Sequence, residues 1–427
     1  MSSRAALGTL LAAFALAVGC DGELCDAEDV QAALDDAAEG EVVEAGACEI
    51  DGALRVPAGV TLRGQGAEAT AIVGNGGAVV TVGSGAGLEA LSVRAELGRA
   101  VVVEGPGAAR LAGLVVAGPV DEGGADVLPP MPGPDETATH GLIVDGAGST
   151  DAPVVLDDVT VRGFGRFGAL FLDSHVAWEG GGASENLATG LMAVGGRVEL
   201  TDVAITDTYR GLSPFAYGAV FRDGAQVVSD GLVLRDNQGP GALHDHATIE
   251  HAALEARGND DPGLWVQSSA RLGVDGATLE DNAVAGLVVV DTEDVTVTGT
   301  TLSDTRMAIR VVDDVELQAG DGIHLVMPTA SSLRLEGVTA SGNPRAGLLV
   351  EVGDGALPDG AVSDVVVDAS GDAFGAVAQT PSAPLAPDVF GAGLERRGAA
   401  AANDAALADR LGIFGAVAPM FLPPPTM

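Results

Sequence analysis

The densest group of residues able to move a proton or hold a metal is His244-Asp245-His246, with Glu250 and His251 close behind. Imidazoles and carboxylates at this density could form an acid–base pair or a metal site if the backbone turned them to one side. The competing reading is structural. In the repeat described below, His244 aligns with Val266 and His251 with Val274, which makes both rings core residues. A second acidic pair lies in Asn259-Asp260-Asp261-Pro262-Gly263, whose composition is that of a turn. Asp207, Tyr209 and Arg210 put a carboxylate, a phenol and a guanidinium on one turn.

These groups sit in a chain of 427 residues with 61 acidic and 21 basic residues, a formal charge of -40. All the basic residues are arginine and there is no lysine. Nothing in such a chain offsets phosphate repulsion, which argues against nucleic acid or an anionic lipid surface as partner. With 47% hydrophobic but only 3% aromatic residues, the core must be Val, Leu, Ile and Ala.

A ten-residue frame recurs: apolar, any, apolar, two polar, Asn, three variable, Gly. It reads LVLRDNQGPG from Leu232, LEARGNDDPG from Leu254, ATLEDNAVAG from Ala277 and VTASGNPRAG from Val338. Weaker copies run from Thr70 to Val365, most of them one period of about 22 residues apart. That period, with strand-type alternation and no helical segment, predicts stacked β coils. The sixth position, held by Asn75, Asn186, Asn237, Asn259, Asn282 and Asn343, should form an internal amide ladder with a rung about every 4.8 Å. Thr208, Thr305 and Ser370 replace asparagine in three coils. Glycine at the tenth position (Gly168, Gly190, Gly241, Gly263, Gly286, Gly347) suits a turn of positive φ.

The frame and its asparagine column resemble the parallel β-helix of pectate lyases, polygalacturonases and related repeat proteins. The resemblance covers residues 40–380. It implies an all-β, single-stranded, right-handed solenoid of about 12–14 coils over 41–380. A cap helix within residues 26–38 would precede it, and a linker, a helix over 399–411 and a loose tail would fill 381–427. On activity the resemblance implies less. His244-Asp245-His246 is similar to a pectate-lyase stretch but lacks its tryptophan. Asp260-Asp261 is similar to the paired aspartates of polygalacturonases, whose other segments are missing. Asp207 and Arg210 are the nearest match to a lyase's calcium-binding aspartate and catalytic arginine. Calcium is the only cofactor this suggests, and no metal motif is present.

The first twenty residues, MSSRAALGTLLAAFALAVGC, carry one basic residue and an apolar run too short to span a bilayer, the pattern of an export signal. Ala17-Val18-Gly19-Cys20 resembles the lipobox of bacterial lipoproteins, which implies lipidation at Cys20 after removal of residues 1–19 and an envelope or surface address. Asp21 is the inner-membrane retention residue of enteric bacteria, but other lineages sort differently. Cys25 and Cys48 then remain as an even pair outside the cytoplasm, expected as a disulfide.

Recognition should fall on loops carried by a rigid scaffold, here residues 119–140, 174–186, 207–218 and 318–332. Trp178, Trp265, Tyr209 and Tyr217 are the candidate stacking platforms. After each frame glycine, the first and third residues should point inward and the second outward. The outward column reads Leu170, Met192, Leu243, Trp265, Val288 and Leu349. A stripe so apolar needs a cover, and Leu407, Leu411, Ile413 and Phe414 of the tail are available. Two functional classes stay open: a non-enzymatic, lipid-anchored β-helix that displays loops to a polysaccharide or surface protein, and a polysaccharide lyase or glycoside hydrolase. They differ in whether carboxylates converge with a histidine or arginine in one cleft.

Overall fold

The computed structural model describes residues 24–120, 140–210, 216–312, 315–327, 332–352, 357, 360–369, 374–380, 383–385 and 387–398. Its strands repeat in triplets. A representative coil runs through Ala242–Asp245, Thr248–Ala252 and Glu255–Arg257, and returns to the first position with Leu264–Gln267. Each strand pairs in parallel with its counterpart one coil later. The coils therefore stack into a front sheet and two back ladders, a parallel β-helix. The front sheet has 14 strands, of which the last, Ala383–Pro384, is antiparallel.

Alternation along each front strand sorts the side chains as the frame predicts. Leu191, Leu264, Val266, Leu287 and Val289 belong to the interior core. Their neighbours Leu170, Met192, Leu243, Trp265 and Val288 form a separate cluster on the outer surface of the front sheet. That outer column is nonetheless buried: Leu243 and Val288 are 0% exposed and Trp265 7%.

The asparagine ladder has a consistent wiring. Each rung closes the corner of the coil before it, accepting from the N–H at that coil's sixth position and donating to the C=O at its third. Asn259 Oδ1 accepts from Asn237 N at 3.2 Å, and its Nδ2 donates to Leu234 O at 3.1 Å. Asn186, Asn237, Asn282 and Asn343 repeat the pattern. Asn75 does not join. The coil before it passes from Asp51 to Leu54 through only Gly52 and Ala53 and offers no corner to close, and the Asn75 amide lies at the surface, donating to Glu96 Oε2 at 3.4 Å. Thr208 and Thr305 are buried at ladder positions, and Ser370 lies outside the described residues.

The frame glycines have a different reason from the one expected. None of the six has positive φ. A Cβ on Gly263 would sit 2.8 Å from Asn282 Nδ2 and 2.8 Å from Gly286 O, both in the next coil. Glycine is needed there for close approach of the backbone. Positive φ falls instead at the bends, for example Asp202, Asp236, Ala253 and Asp281.

The N-terminal helix, α1 (Ala27–Asp36), is capped by Asp26, whose carboxylate accepts from Glu28 N at 2.9 Å. Gln31 on α1 exchanges two hydrogen bonds with the Arg55 backbone, so it caps the exposed edge of the first front strand, Leu54–Val56. Cys25 and Cys48 are bonded to one another. At the far end the solenoid passes the expected boundary at 380. Leu394–Gly398 continues the second back ladder on Val365–Ala369, because another hydrogen-bonded strand satisfies backbone that a linker would leave bare. Residues 1–23, with Cys20, and 399–427 lie outside the described residues. No helix among the described residues is long and apolar enough to cross a membrane.

Candidate functional site

From Gly87 onward, length variation in this solenoid is confined to two of its three corners, whereas before it seven residues separate Thr61–Arg63 from Ala71–Gly74 at the third. From Gly87 to Ala369 the bend between the back ladders spans at most two residues. In that span the corners on either side of the front sheet take the long insertions. Between Arg110–Ala117 and His140–Asp145 lie 22 residues, most of them outside the described set. Before Asp321–Met327 an antiparallel hairpin, Ala308–Val312 with Val315–Ala319, is inserted. All these excursions border the outer face of the front sheet, which singles out that face.

The face carries two parallel columns. The central one stacks Val102, Ile143, Leu170, Met192, Val220, Leu243, Trp265, Val288, His324, Leu349 and Val377 in register. The lateral one includes Arg222, Asp245, Gln267, Glu351 and Gln379. Where His324 interrupts the apolar column, four charged groups meet. Asp321 receives Arg345 through two contacts, Nε to Oδ1 at 2.8 Å and Nη2 to Oδ2. His324 lies with Nδ1 3.5 Å from Asp321 Oδ2 and Nε2 3.1 Å from Glu351 Oε1.

Asp321 and His324 are 0% exposed, and Arg345 6%. Burial pushes the Asp321 carboxyl up, but the Arg345 guanidinium and the His324 ring outweigh it and hold the group below its ordinary range. Burial likewise opposes charge on His324, yet the bonds to Asp321 and Glu351 raise its pKa above the ordinary value. With His324 protonated, two cations face two anions, which is the condition for burying all four. Sequence reasoning missed this quartet, whose members are spread over residues 321–351 and come together only through coil stacking.

The residues singled out from the sequence do not converge. His244 and His251 are buried inside the solenoid with Nε2 atoms 3.1 Å apart, and Phe221 stacks on His244. Asp245 points the opposite way, onto the outer face, where it accepts from Gln267 Nε2 at 3.0 Å. The His246 ring is exposed at the corner, its Nδ1 2.9 Å from Asp245 Oδ1. Asp207 occupies a positive-φ bend, while Arg210 donates from Nε to Gln238 O at 2.6 Å. Arg306 reaches Asp260 at 3.2 Å and the Asn259 carbonyl at 2.7 Å, tying turns two coils apart.

Two loop expectations are also corrected. Residues 174–186 are largely the regular strand His175–Ser184, and Trp178 is a core residue at 1% exposure. Residues 318–332 are mostly the front strand Asp321–Met327, the insertion being the hairpin before it. In both stretches coil stacking overrides irregular composition. Of the candidate platforms, Trp265 and Tyr217 lie in the outer-face cluster and Tyr209 pairs beside Leu187. Residues 121–139 and 211–215 of the other two stretches lie outside the described residues. Among the described residues no group of three or more His, Cys, Asp or Glu is placed to hold a metal ion.

No protein-family model matches the chain, and no curated protein matches its sequence. Among solved structures it is similar to the A-module of a mannuronan C-5 epimerase from Azotobacter vinelandii, at 17% identity over 88% of this chain and 98% of that one, with a TM-score of 0.46. It is also similar to the enzymatically active domain of tailspike protein 2 of bacteriophage CBA120, at 11% identity over 75% of this chain and 44% of that one, with a TM-score of 0.46. A periplasmic alginate epimerase matches at 12% identity over 88% of this chain and 82% of that one, with a TM-score of 0.31.

Proposed function

We propose that this chain is an exported, non-enzymatic β-helix scaffold, anchored to the cell envelope by lipid on Cys20, whose front-sheet face and bordering loops bind an extended polysaccharide. The observation that carries this reading is the confinement of insertions, from Gly87 to Ala369, to the two corners flanking one face. A repeat tolerates added length anywhere a corner meets solvent, so one-sided accumulation marks the side where loops do work. A long, straight, loop-rimmed face fits a linear polymer better than a compact ligand. The excess of acid, 61 residues against 21 basic ones, favours a neutral glycan over a polyuronate.

The enzyme reading has one observation in its favour, the meeting of Asp321 and Glu351 with His324 and Arg345. A glycan array probed with the chain from residue 21 onward, with and without calcium, tests both readings. Binding to neutral linear glycans without new reducing ends or unsaturated products supports the scaffold. Turnover that disappears in His324→Gln establishes the enzyme in its place.

A further inference from the structure

Arg99, His140 and Phe167 open three successive strands of the front sheet and pair in register. The His140 and Phe167 rings stack at 5.4 Å with 13° between their planes. Arg166, one residue before Phe167, holds its guanidinium carbon 5.2 Å from the centre of that ring. Phe167 belongs to the outer-face cluster and is buried, His140 and Arg166 are half-buried, and Arg99 is exposed.

Charge sets this group apart. In a chain with 61 acidic residues, most arginines sit against a carboxylate, as Arg63, Arg110, Arg235 and Arg271 do within 3.2 Å. Among the described residues neither Arg99 nor Arg166 has a carboxylate partner. Burial pulls the Arg166 guanidinium below its ordinary value, as befits a cation that has lost water without gaining an anion. The His140 Nδ1 is buried with no hydrogen-bond partner. Burial first, then Arg166 from the coil after and Arg99 from the coil before, pull that ring down to about 4. No carboxylate among the described residues offsets them.

The group offers donors: two guanidinium forks, and an imidazole that donates from both nitrogens once protonated. An oxyanion matches such a set best. The strands of Arg99 and Phe167 lie two rungs apart, about 10 Å, a gap that two arginine side chains can close on one group. We propose that Arg99, His140 and Arg166 form a subsite for a single oxyanion, a carboxylate or a sulfate group, carried on a sugar. The sugar rests on the polysaccharide reading; the oxyanion does not. On that reading the face selects a largely neutral chain with a sparse acidic substituent, since a net charge of -40 repels a dense polyanion.

The ring reports occupancy. An oxyanion between the guanidiniums cancels their repulsion of a proton, so binding takes up a proton at His140 and tightens as pH falls. Proton NMR of the His140 ring, identified by the signals lost in His140→Phe, is followed from pH 8 to pH 5 in inorganic sulfate and in chloride of equal ionic strength. At pH 5 the protonated fraction should be several-fold higher in sulfate. In Arg99→Gln/Arg166→Gln the ring should titrate higher before any sulfate is added, and sulfate should no longer move it. Arg99→Gln alone, at an exposed position, should weaken sulfate binding about tenfold or more. A wild-type ring that responds equally to sulfate and chloride overturns the proposal, as does a double variant that responds like the wild type. Methyl glucuronide and a sulfated monosaccharide should act as sulfate does, with methyl glucoside silent; the arm that binds more tightly names the group. If inorganic sulfate acts and neither acidic sugar does, the sugar-borne ligand is overturned. Oxyanion binding beside a blank glycan array keeps the oxyanion site and removes the polysaccharide reading.

Discussion

His251 Nε2 stands 3.1 Å from His244 Nε2 inside the solenoid, and His251 Nδ1 stands 2.7 Å from the Ser229 hydroxyl. One proton serves the contact between the rings, so one Nε2 donates and the other accepts. His244 Nδ1 has no hydrogen-bond partner. The cheaper arrangement leaves it a bare acceptor, since a buried N–H without a partner is the rarer defect. His244 then donates to His251, which donates in turn to Ser229.

Both rings are held neutral. Burial pulls His251 down to about 4, and burial with the neighbouring ring pulls His244 well below its ordinary value. Between pH 6.5 and about 4 the unfolded chain binds more protons than the folded one, so the pair's contribution is full above that window and is lost as pH falls through it. The adjacent coils offer Phe221 and Val274 at the same positions. Urea unfolding at pH 7 and pH 5 should show the wild type losing a few kcal/mol more than His244→Phe/His251→Val. Equal losses would place the rings in water.

The quartet has the opposite sign. Its bonds raise the His324 pKa, so its stabilisation is present below the unfolded value and is lost as pH rises through the raised one. Arg345→Met strands the Asp321 carboxylate in a dry site and should cost about 3–5 kcal/mol. Asp321 pairs with Ala285 and Ala346 in its own column. Asp321→Ala/Arg345→Met should therefore cost less than Arg345→Met alone, which a double-mutant cycle by urea unfolding measures.

Asn259→Ala leaves the Asn237 N–H and the Leu234 carbonyl without their partners, an expected loss of about 2–4 kcal/mol. Amide exchange at Asn237 should accelerate with it. Asn75→Ala, on the surface, should stay within about 0.5 kcal/mol.

Gly263→Ala places a methyl group against the Asn282 amide and the Gly286 carbonyl, at an expected cost of about 1–3 kcal/mol. Combining it with Asn282→Ala removes one of the two collisions. The double variant should cost less than the sum of the singles in thermal or urea unfolding.

Cys20→Ser should release the exported protein from membranes and abolish its labelling by radioactive palmitate. Equal labelling of wild type and variant would locate the lipid elsewhere or nowhere.

The coil frame, the inward and outward columns and the buried histidines were legible because each follows from a period of one coil and the two-fold alternation of a strand. Asn75 misled because its letters fit while the coil before it, with two residues between Asp51 and Leu54, has no corner for a rung to close. The reason for glycine was misread because close approach between coils leaves no trace in one coil's own sequence. The quartet was invisible for a related cause. Asp321 and His324 belong to one coil, Arg345 and Glu351 to the next, and a hairpin stands just before them, which hides the period at that point.

Each ladder asparagine finishes the corner of the coil before it, and a glycine of that earlier coil (Gly168, Gly218, Gly241, Gly263 or Gly322) leaves room for it. The unit of inheritance is thus the boundary between coils rather than the coil. A duplication that copies whole periods carries matched glycine and asparagine to both new junctions and lengthens the rod at little cost. A recombination that separates them creates one defective junction however good the two parents are. Growth of such a protein over generations should therefore proceed in whole coils, with insertions in the ladder corner admitted between rung and glycine, as the hairpin stands between Thr305 and Gly322.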